Sequence, residues 1–332
     1  MPNPWQTYLE LLPESDFQEE TSCPGCQGMD SKMIRRLGPT RLKYCVQCAL
    51  HFISPRLTPT VQEALYRLNP SPMSPERSML LENLIAGRLR DMRKEMFAWP
   101  QDRFPKAKVM DIGCGFGHFL AQSKPLFGSV EGVELSPIQA QYAREHFNIP
   151  IFEVDLFQSE WAYPLDLISA WELIEHLPNS NLLFHWAFKN LSPGGQLVLS
   201  TPNYNSLFRF LLGRHWFYFI PSQHLTHFSA QGIKNQLLKA GFSRVQTFTS
   251  GRSLLTEWKN QHNPSSQGVS IKNQWMENLR VREQIEVERE TRPAPSQGPW
   301  WQKFLDALVW RLTYWPVHHG FGDQLRIYAQ KD

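Results

Sequence analysis

The sequence lacks the long apolar runs that a membrane-spanning helix needs, since no segment reaches about eighteen uninterrupted apolar residues. At its start it also lacks the basic segment and apolar run of a secretory signal. Charge of one sign is scarce, because 34 Lys and Arg oppose 31 Asp and Glu and leave a formal net charge of +3. That charge is too small to indicate nucleic acid or an anionic membrane as a partner. These absences predict a cytoplasmic protein.

Cysteine is also scarce, yet four of the five cysteines form two close pairs within the first fifty residues. Cys23 and Cys26 form one Cys-x-x-Cys knuckle, Cys45 and Cys48 form another, and eighteen residues separate them. This spacing is typical of a closed tetrahedral zinc site with a structural role. Two redox pairs are the weaker alternative, because neither knuckle lies at a strand-to-helix junction. We therefore expect a structural Zn²⁺ in a zinc ribbon over residues 1–56, and Cys114 as a packing residue.

The rest of the chain alternates apolar runs of strand length with segments of helical periodicity. A helix over 74–99 is predicted within a linker or lid, 57–104, and the strand–helix alternation fills 105–250. A polar insertion, 251–320, carries an amphipathic stretch from Trp300 to Trp315, and 321–332 supplies a final strand. Such alternation predicts an α/β fold: a Rossmann-like, doubly wound, mostly parallel sheet with an N-terminal four-cysteine zinc ribbon.

A glycine loop follows the first predicted strand of the alternation, with glycines at Gly113, Gly115 and Gly117 and an acid, Asp111, just upstream. A dinucleotide-binding loop would need a further glycine at 118, where His118 stands instead. A carboxylate at 111 suits a cofactor with a cationic amino group and a sulfonium, that is, S-adenosylmethionine. Two more acids follow the next two strands: Glu134 can accept from ribose hydroxyls, and Asp155 can meet an adenine amino group. Taken singly, each acid is equally explained as a helix cap or a solvated strand end.

Four segments carry a family resemblance: 109–117, 132–136, 175–179 and 191–195. They resemble class I methyltransferases, in particular the branch of the ubiquinone-biosynthesis O-methyltransferases, over about residues 105–250. The resemblance implies that Asp111 and the glycines contact the methionine portion of the cofactor, Glu134 its ribose and Asp155 its adenine edge. Glu172 is placed in the same pocket. The departure is a separation of some seventy residues between the last two strands, which the family normally joins by a tight hairpin.

Candidates for the chemistry lie after the fourth strand and before a later helix. Glu172, Glu175 and His176 form a Glu-x-x-Glu-His cluster, and His224 and His227 follow downstream. In one interpretation His176 or His224 is a general base or orients an acceptor hydroxyl. In the other, Glu172, Glu175, His176 and His224 hold a divalent cation such as Mg²⁺ or Mn²⁺, as the arrangement resembles the metal site of small-RNA terminal 2′-O-methyltransferases. A third, simpler interpretation is that Glu175 and His176 only bond the backbone.

Aromatic residues follow the fifth strand, at Phe208, Phe210 and 216–219, where a substrate lid is expected. The Trp300–Trp315 stripe either packs on the domain or touches a membrane surface peripherally, which would place the protein at the inner membrane. The function predicted is O-methylation of a small or lipid- or sugar-linked acceptor. The alternatives are a zinc-dependent adaptor with a retained methyltransferase fold, and an RNA 2′-O-methyltransferase, which the near-neutral charge disfavours. Acceptor and oligomeric state stay open.

Overall fold

A computed structural model describes residues 9–10, 12–62, 75–100, 102–159, 161–216, 218–250 and 320–332. The strands in the first part are β1 (Phe17–Gln18), β2 (Ser31–Leu37), β3 (Thr40–Cys45), β4 (His51–Ile53) and β5 (Arg56–Leu57). The later strands are β6 (Lys108–Ile112), β7 (Ser129–Val133), β8 (Ile151–Phe152), β9 (Leu165–Trp171), β10 (Leu191–Pro202), β11 (Thr226–His227), β12 (Arg244–Ser250) and β13 (Gln324–Gln330). The helices are α1 (Pro75–Glu95), α2 (His118–Ser123), α3 (Pro137–Phe147), α4 (Ser180–Asn190), α5 (Leu207–Leu212) and α6 (Ala230–Lys239).

Seven strands form the central sheet, in the order β12–β13–β10–β9–β6–β7–β8. The neighbours from β10 to β8 pair in parallel, whereas β13 is antiparallel to both β10 and β12. The strand order reverses between β6 and β9, so the topological switch point of the sheet lies at their carboxyl ends. The predicted doubly wound, mostly parallel Rossmann-like sheet is confirmed.

Both faces of this sheet are covered by apolar cores, because successive strand residues point to opposite sides. Met110 and Ile112 of β6 face the core formed with α4 and α6, whereas Val109 faces the core formed with α1, α2 and α3. The runs of apolar residues in the sequence predicted these strands for this reason. Strand β10 begins at Leu191, because Leu191 pairs with Leu165 before the register shifts towards Gln196.

Helix α1 is shorter than predicted and is tied to the far edge of the sheet. Arg326 of β13 donates to the carboxylates of Asp91 and Glu95 at 2.8 Å and 2.5 Å, and the Tyr328 hydroxyl donates to Glu95 at 3.0 Å. Beyond the helix, the Gln196 side-chain amide exchanges two hydrogen bonds with the backbone of Phe97. These contacts hold α1 across the sheet, beside the glycine loop.

A second sheet joins the first part of the chain to a segment after β10, in the order β11–β4–β3–β2. Three of its strands come from the predicted ribbon, 1–56, but β11 comes from residues 226–227 of the methyltransferase segment. Thr226 pairs with Phe52 and His227 with His51. The ribbon therefore shares a sheet with the segment that follows His224.

Some of the sequence predictions fall on residues that the structure does not describe. The amphipathic stretch Trp300–Trp315 and nearly all of the insertion fall beyond the described residues, as does Phe217. The two strands that flank the insertion, β12 and β13, pair as an antiparallel hairpin, with Ser250 opposite Gln324. Within the described ranges, no helix is both long enough and apolar enough to cross a membrane.

Candidate cofactor and acceptor site

The predicted acids lie at the carboxyl ends of four strands in the parallel part of the sheet. Asp111 is the next-to-last residue of β6, Glu134 follows β7, Asp155 follows β8 and Glu172 follows β9. Because parallel strands end at the same edge, the fold brings these positions to one side of the molecule, around the switch point.

The glycine loop passes from β6 to α2 with all three glycines in the left-handed region, at φ of 69°, 55° and 80° for Gly113, Gly115 and Gly117. A Cβ at Gly113 would lie 2.9 Å from Leu173, and one at Gly117 would lie 2.7 Å from the Cβ of Ala143. At Gly115 the nearest atom would be Oε1 of Gln139, at 3.7 Å. Two glycines therefore allow close packing, whereas a Cβ at Gly115 would make only an ordinary van der Waals contact, so the loop is less crowded there.

Glu134 holds this loop in place from the neighbouring strand. Its carboxylate accepts hydrogen bonds from the backbone N–H of Gly115 at 2.9 Å and of Ser136 at 2.8 Å. Burial raises the pKa of Glu134 above its usual value, while these backbone donors act in the opposite direction. Each carboxylate oxygen can accept more than one hydrogen bond, so the side chain retains capacity for a ligand hydroxyl.

Asp111 is buried, with 2% of its surface exposed. Its carboxylate accepts a hydrogen bond of 2.6 Å from the hydroxyl of Ser169 on β9. Burial raises the pKa of Asp111 to about 7, against the Ser169 hydrogen bond and the charge of Arg88 on α1, which favour the ionised form. A cationic ligand at this strand end would favour the ionised form further.

Asp155 lies at the predicted strand end, and it also caps a helical turn, which was the alternative explanation for this acid. Its carboxylate accepts from the backbone N–H of Phe157 at 3.0 Å and caps the 3₁₀ turn Leu156–Gln158. The side chain is exposed at the edge of the site.

Three of the predicted acceptor-side residues meet: Glu175, His176 and His224 each offer a ligand atom within 4.8 Å of the others. His176 Nδ1 lies 3.2 Å from the carbonyl oxygen of Gln223, and His224 Nδ1 lies 2.9 Å from that of Tyr218. Because a carbonyl can only accept, each Nδ1 carries the proton and each Nε2 keeps its lone pair in the neutral ring. Glu175 is buried and accepts from the Thr201 hydroxyl at 3.0 Å.

Glu172 is not part of this group, although the sequence prediction placed it there. It stands at φ 52° after β9, and its carboxylate accepts from the Ser200 hydroxyl at 2.7 Å. A helix would bring residues three apart onto one face, but 172 is a bend and 174–176 form a turn, and the two carboxylates bond different residues, Ser200 for Glu172 and Thr201 for Glu175.

The four cysteines of the ribbon also converge, with sulfur atoms within 4.8 Å of one another. The Cys23–Cys48 and Cys26–Cys45 sulfurs are each 3.5 Å apart. A tetrahedral site with metal–sulfur bonds of about 2.3 Å requires sulfur separations of roughly 3.8 Å, so the arrangement fits such an ion. A hydrogen bond from the Cys48 thiol lowers the pKa of Cys23 to about 5. The same hydrogen bond, together with burial, raises the pKa of Cys48.

Some residues of the site were not predicted. Arg88 lies with its guanidinium carbon 5.5 Å from the ring centre of Trp171, at the end of β9, and its charge acts on Asp111. Leu135 follows Glu134 and exposes 67% of its surface, which is unusual for a large apolar side chain at a strand end. A sequence signal existed for Leu135, an apolar residue directly after the ribose acid, but none for Arg88.

Comparison with known proteins agrees with this architecture. A family model described as a methyltransferase domain matches residues 81–247, just over half of the chain. A ubiquinone biosynthesis O-methyltransferase of Erwinia tasmaniensis is 29% identical over 127 residues, 36% of this chain and 52% of that protein. One of Klebsiella pneumoniae is 32% identical over 106 residues, 30% of this chain and 43% of that protein. The chain thus spans about half the length of the relatives it matches.

Among solved structures, a SAM dependent methyltransferase from Archaeoglobus fulgidus is 17% identical, with a TM-score of 0.47 over 75% of this chain and 94% of that one. The family match includes the glycine loop, Glu134 and the Glu175–His176 turn. On that match, the chain belongs to the methyltransferase-domain family, the class I S-adenosylmethionine-dependent family that its sequence resembles.

Proposed function

We propose that this protein transfers the methyl group of S-adenosylmethionine to a hydroxyl of a small or lipid- or sugar-linked acceptor, which loses its proton beside Glu175, His176 and His224. The observation that carries the proposal is the convergence of these three side chains within 4.8 Å, next to the strand ends that carry the cofactor acids. Relatives named as O-methyltransferases support a hydroxyl acceptor. The lipid-linked class, and with it peripheral membrane contact, rests only on the pattern of Trp300–Trp315.

The glycine loop and its acids fit the cofactor. The loop is uncrowded at Gly115, which would let a ligand approach its backbone, and Glu134 next to it suits ribose hydroxyls. The ammonium group of the cofactor would favour the ionised form of Asp111, a buried acid whose pKa is raised. Arg88 on the same side offers a cation to the cofactor's carboxylate. When bound, S-adenosylmethionine supplies a methyl group on a sulfonium, which is open to in-line attack.

The acceptor side supplies a proton-accepting nitrogen. His176 donates its Nδ1–H to the Gln223 carbonyl, so Nε2 is the nitrogen that would accept the proton, and the side chain is 20% exposed. His224, by contrast, is 2% exposed, and from this buried position it would orient the acceptor hydroxyl rather than accept its proton. The wall around His224 is aromatic, with Tyr218 stacked on it at 6.0 Å, which suits an acceptor with an apolar or aromatic body.

We further propose that this cluster holds a divalent cation when one is available. Two imidazoles and one carboxylate are a donor set for Mn²⁺, Fe²⁺ or Zn²⁺ rather than for Mg²⁺, which prefers oxygen. Histidine ligands in proteins usually donate their second N–H to a carbonyl or carboxylate, as both histidines do here. Such an ion would acidify the acceptor hydroxyl. In the ribbon, we propose Zn²⁺ for the four cysteines.

The test combines binding with turnover. Calorimetric titration with S-adenosylhomocysteine should give micromolar affinity, weakened at least about tenfold by Asp111→Asn. Methyl transfer from labelled S-adenosylmethionine to a panel of catechols, phenols and sugar alcohols should depend on added Mn²⁺ and fall at least about 100-fold in Glu175→Gln. Turnover that is insensitive to chelation would leave His176 as the base without a metal. A folded protein without affinity for the cofactor would instead support the adaptor alternative.

A further inference from the structure

We propose that the metal of the four-cysteine ribbon positions the acceptor side of the active site, so that its loss displaces Glu175, His176 and His224 while the cofactor loop stays in place. The inference rests on the proposed function only in assigning those three residues to the acceptor. It is carried by a continuous path of hydrogen bonds from the ribbon to the turn that holds Glu175.

The path starts at the second cysteine knuckle. Strand β3 ends at Cys45, and the backbone N–H of Cys45 donates to the carbonyl of Leu50 at 2.9 Å, just before β4 begins at His51. The start and direction of β4 are therefore set by the loop that closes on the metal ligands Cys45 and Cys48.

Strand β4 then binds the segment after His224. The N–H of Ile53 donates to the carbonyl of Leu225 at 2.9 Å, and Thr226 and His227 pair with Phe52 and His51. On its other side this segment holds Glu175, because the N–H groups of Leu225 and Thr226 both donate to the Glu175 carbonyl, at 2.8 Å and 3.2 Å. Three consecutive residues thus connect the ribbon sheet with the acceptor cluster.

A second set of contacts reaches the end of the same turn. Arg56, paired with Glu20 at 2.7 Å, donates to the carbonyl of Pro178 at 3.2 Å. The Asn181 side chain at the start of α4 donates to the carbonyl of Gly25, inside the first cysteine knuckle. The ribbon therefore directly contacts the segment that follows the Glu175–His176 turn, in addition to the path through Leu225 and Thr226.

The ribbon also lacks a separate core of its own around the cysteines. Cys23, Cys45, Cys48, Leu50 and Phe52 belong to one apolar core with residues of α4 and α6. Modules of this size depend on bound metal for their folding. Loss of the ion would leave four thiols packed against α6 and would release β4 from its fixed start, and with it β11.

The glycine loop is held differently. Gly113 and Cys114 donate to the carbonyl of Val133, and Gly115 donates to Glu134. These bonds belong to the central sheet, whose order continues through β6 and β7. We therefore expect the loop to keep its structure when the ribbon loses its metal.

The experiment is hydrogen–deuterium exchange by mass spectrometry on the full chain, with zinc bound, after removal by chelation, and after zinc is restored. Zinc removal should speed exchange at least about tenfold in peptides covering 173–178 and 222–228. Peptides covering 109–117 should change less than about twofold, and S-adenosylhomocysteine affinity should stay within about threefold. Restored zinc should reverse the effect.

Variants provide the matched comparison. Cys26→Ser should lose zinc and reproduce the exchange pattern, whereas Val46→Ser should keep both zinc and protection, since Val46 lies between the knuckle cysteines with 43% of its surface exposed. If Cys26→Ser does not fold, chelation of the native protein still decides.

Unchanged exchange at 173–178 and 222–228 after zinc loss would overturn the proposal. Equal acceleration at 109–117 together with lost cofactor affinity would overturn it too, because the ribbon would then be a general stabiliser. Neither readout requires an acceptor or turnover, so failure of the proposed methyl transfer would be seen separately.

Discussion

Ser169 donates a hydrogen bond of 2.6 Å to the carboxylate of Asp111, across two neighbouring strands of the central sheet. The hydrogen bond from Ser169 favours the ionised carboxylate and so lowers its pKa. Burial has the larger effect and raises the pKa of Asp111 to about 7. The acid at the centre of the cofactor site therefore changes its charge within the physiological pH range.

Binding of S-adenosylhomocysteine should accordingly depend on pH. The ligand ammonium favours the ionised carboxylate, so below pH 7 binding must first remove a proton from Asp111. We expect the dissociation constant to rise about fivefold from pH 7 to pH 6 and to level off above about pH 8. Titrations at pH 6 in buffers of different ionisation enthalpy should show release of about one proton per ligand. In Asp111→Asn the affinity should be lower and independent of pH. A constant affinity in the native protein between pH 6 and 8 would contradict this assignment.

Two glycines of the loop offer a matched pair of substitutions. In Gly117→Ala the new Cβ would lie 2.7 Å from Ala143 at φ 80°, so strain and overlap should lower the free energy of unfolding by about 2–4 kcal/mol. In Gly115→Ala the Cβ would make only an ordinary contact, 3.7 Å from Gln139, so the φ of 55° should cost only about 1 kcal/mol of stability. That same Cβ should weaken S-adenosylhomocysteine binding at least about tenfold, since it enters the space assigned to the ligand. Denaturant unfolding and calorimetry measure the two effects, and equal stability losses would argue against the loop geometry.

The central strands of the sheet were predictable from the sequence because they are buried on both faces. A mostly apolar run such as 165–170 therefore identifies a strand directly, and turn residues mark where it ends. Strand β11 was not predictable. It has two residues, too few for any periodicity, and its partner β4 lies more than 170 positions earlier in the chain. Only the folded ribbon shows that the two belong to one sheet.

The site divides in the same way. Asp111, Glu134 and Asp155 could be predicted because the ends of parallel strands converge wherever the sheet forms. Arg88 could not, because its position depends on how α1 crosses the sheet, which Arg326 and Glu95 determine from the far side. Glu172 was grouped with Glu175 because the Glu-x-x-Glu-His arrangement resembles a known metal site, but in the fold Glu172 bonds Ser200 and only Glu175 meets His176 and His224.

Arg88 provides the third prediction. Its charge favours the ionised form of Asp111, and it lies over Trp171 on the cofactor side of the sheet. Arg88→Met keeps much of the side-chain volume but removes the charge, so we expect S-adenosylhomocysteine affinity to fall about tenfold and the pH midpoint of binding to move upward. Arg90→Met is the control, because the Arg90 side chain is 59% exposed two residues away on the same helix. Equal effects of the two substitutions would indicate a general influence of α1 rather than a contact with the ligand.

The separation of Glu172 from Glu175 gives a direct test of the acceptor cluster. Mn²⁺ binding, followed by electron paramagnetic resonance of the free ion, should weaken by more than about 100-fold in Glu175→Gln, because the buried carboxylate is the only anionic ligand of the three. Glu172→Gln changes the same chemical group three residues away but touches Ser200 instead, so Mn²⁺ affinity should stay within about threefold of the native protein. Both variants should retain the native thermal transition to within a few degrees if the effect is local. Equal loss of Mn²⁺ in the two variants would return Glu172 to the ligand set and would require the turn at 172–176 to rearrange on binding. Native affinity in Glu175→Gln would exclude this cluster as a cation site and leave His176 as the proton acceptor.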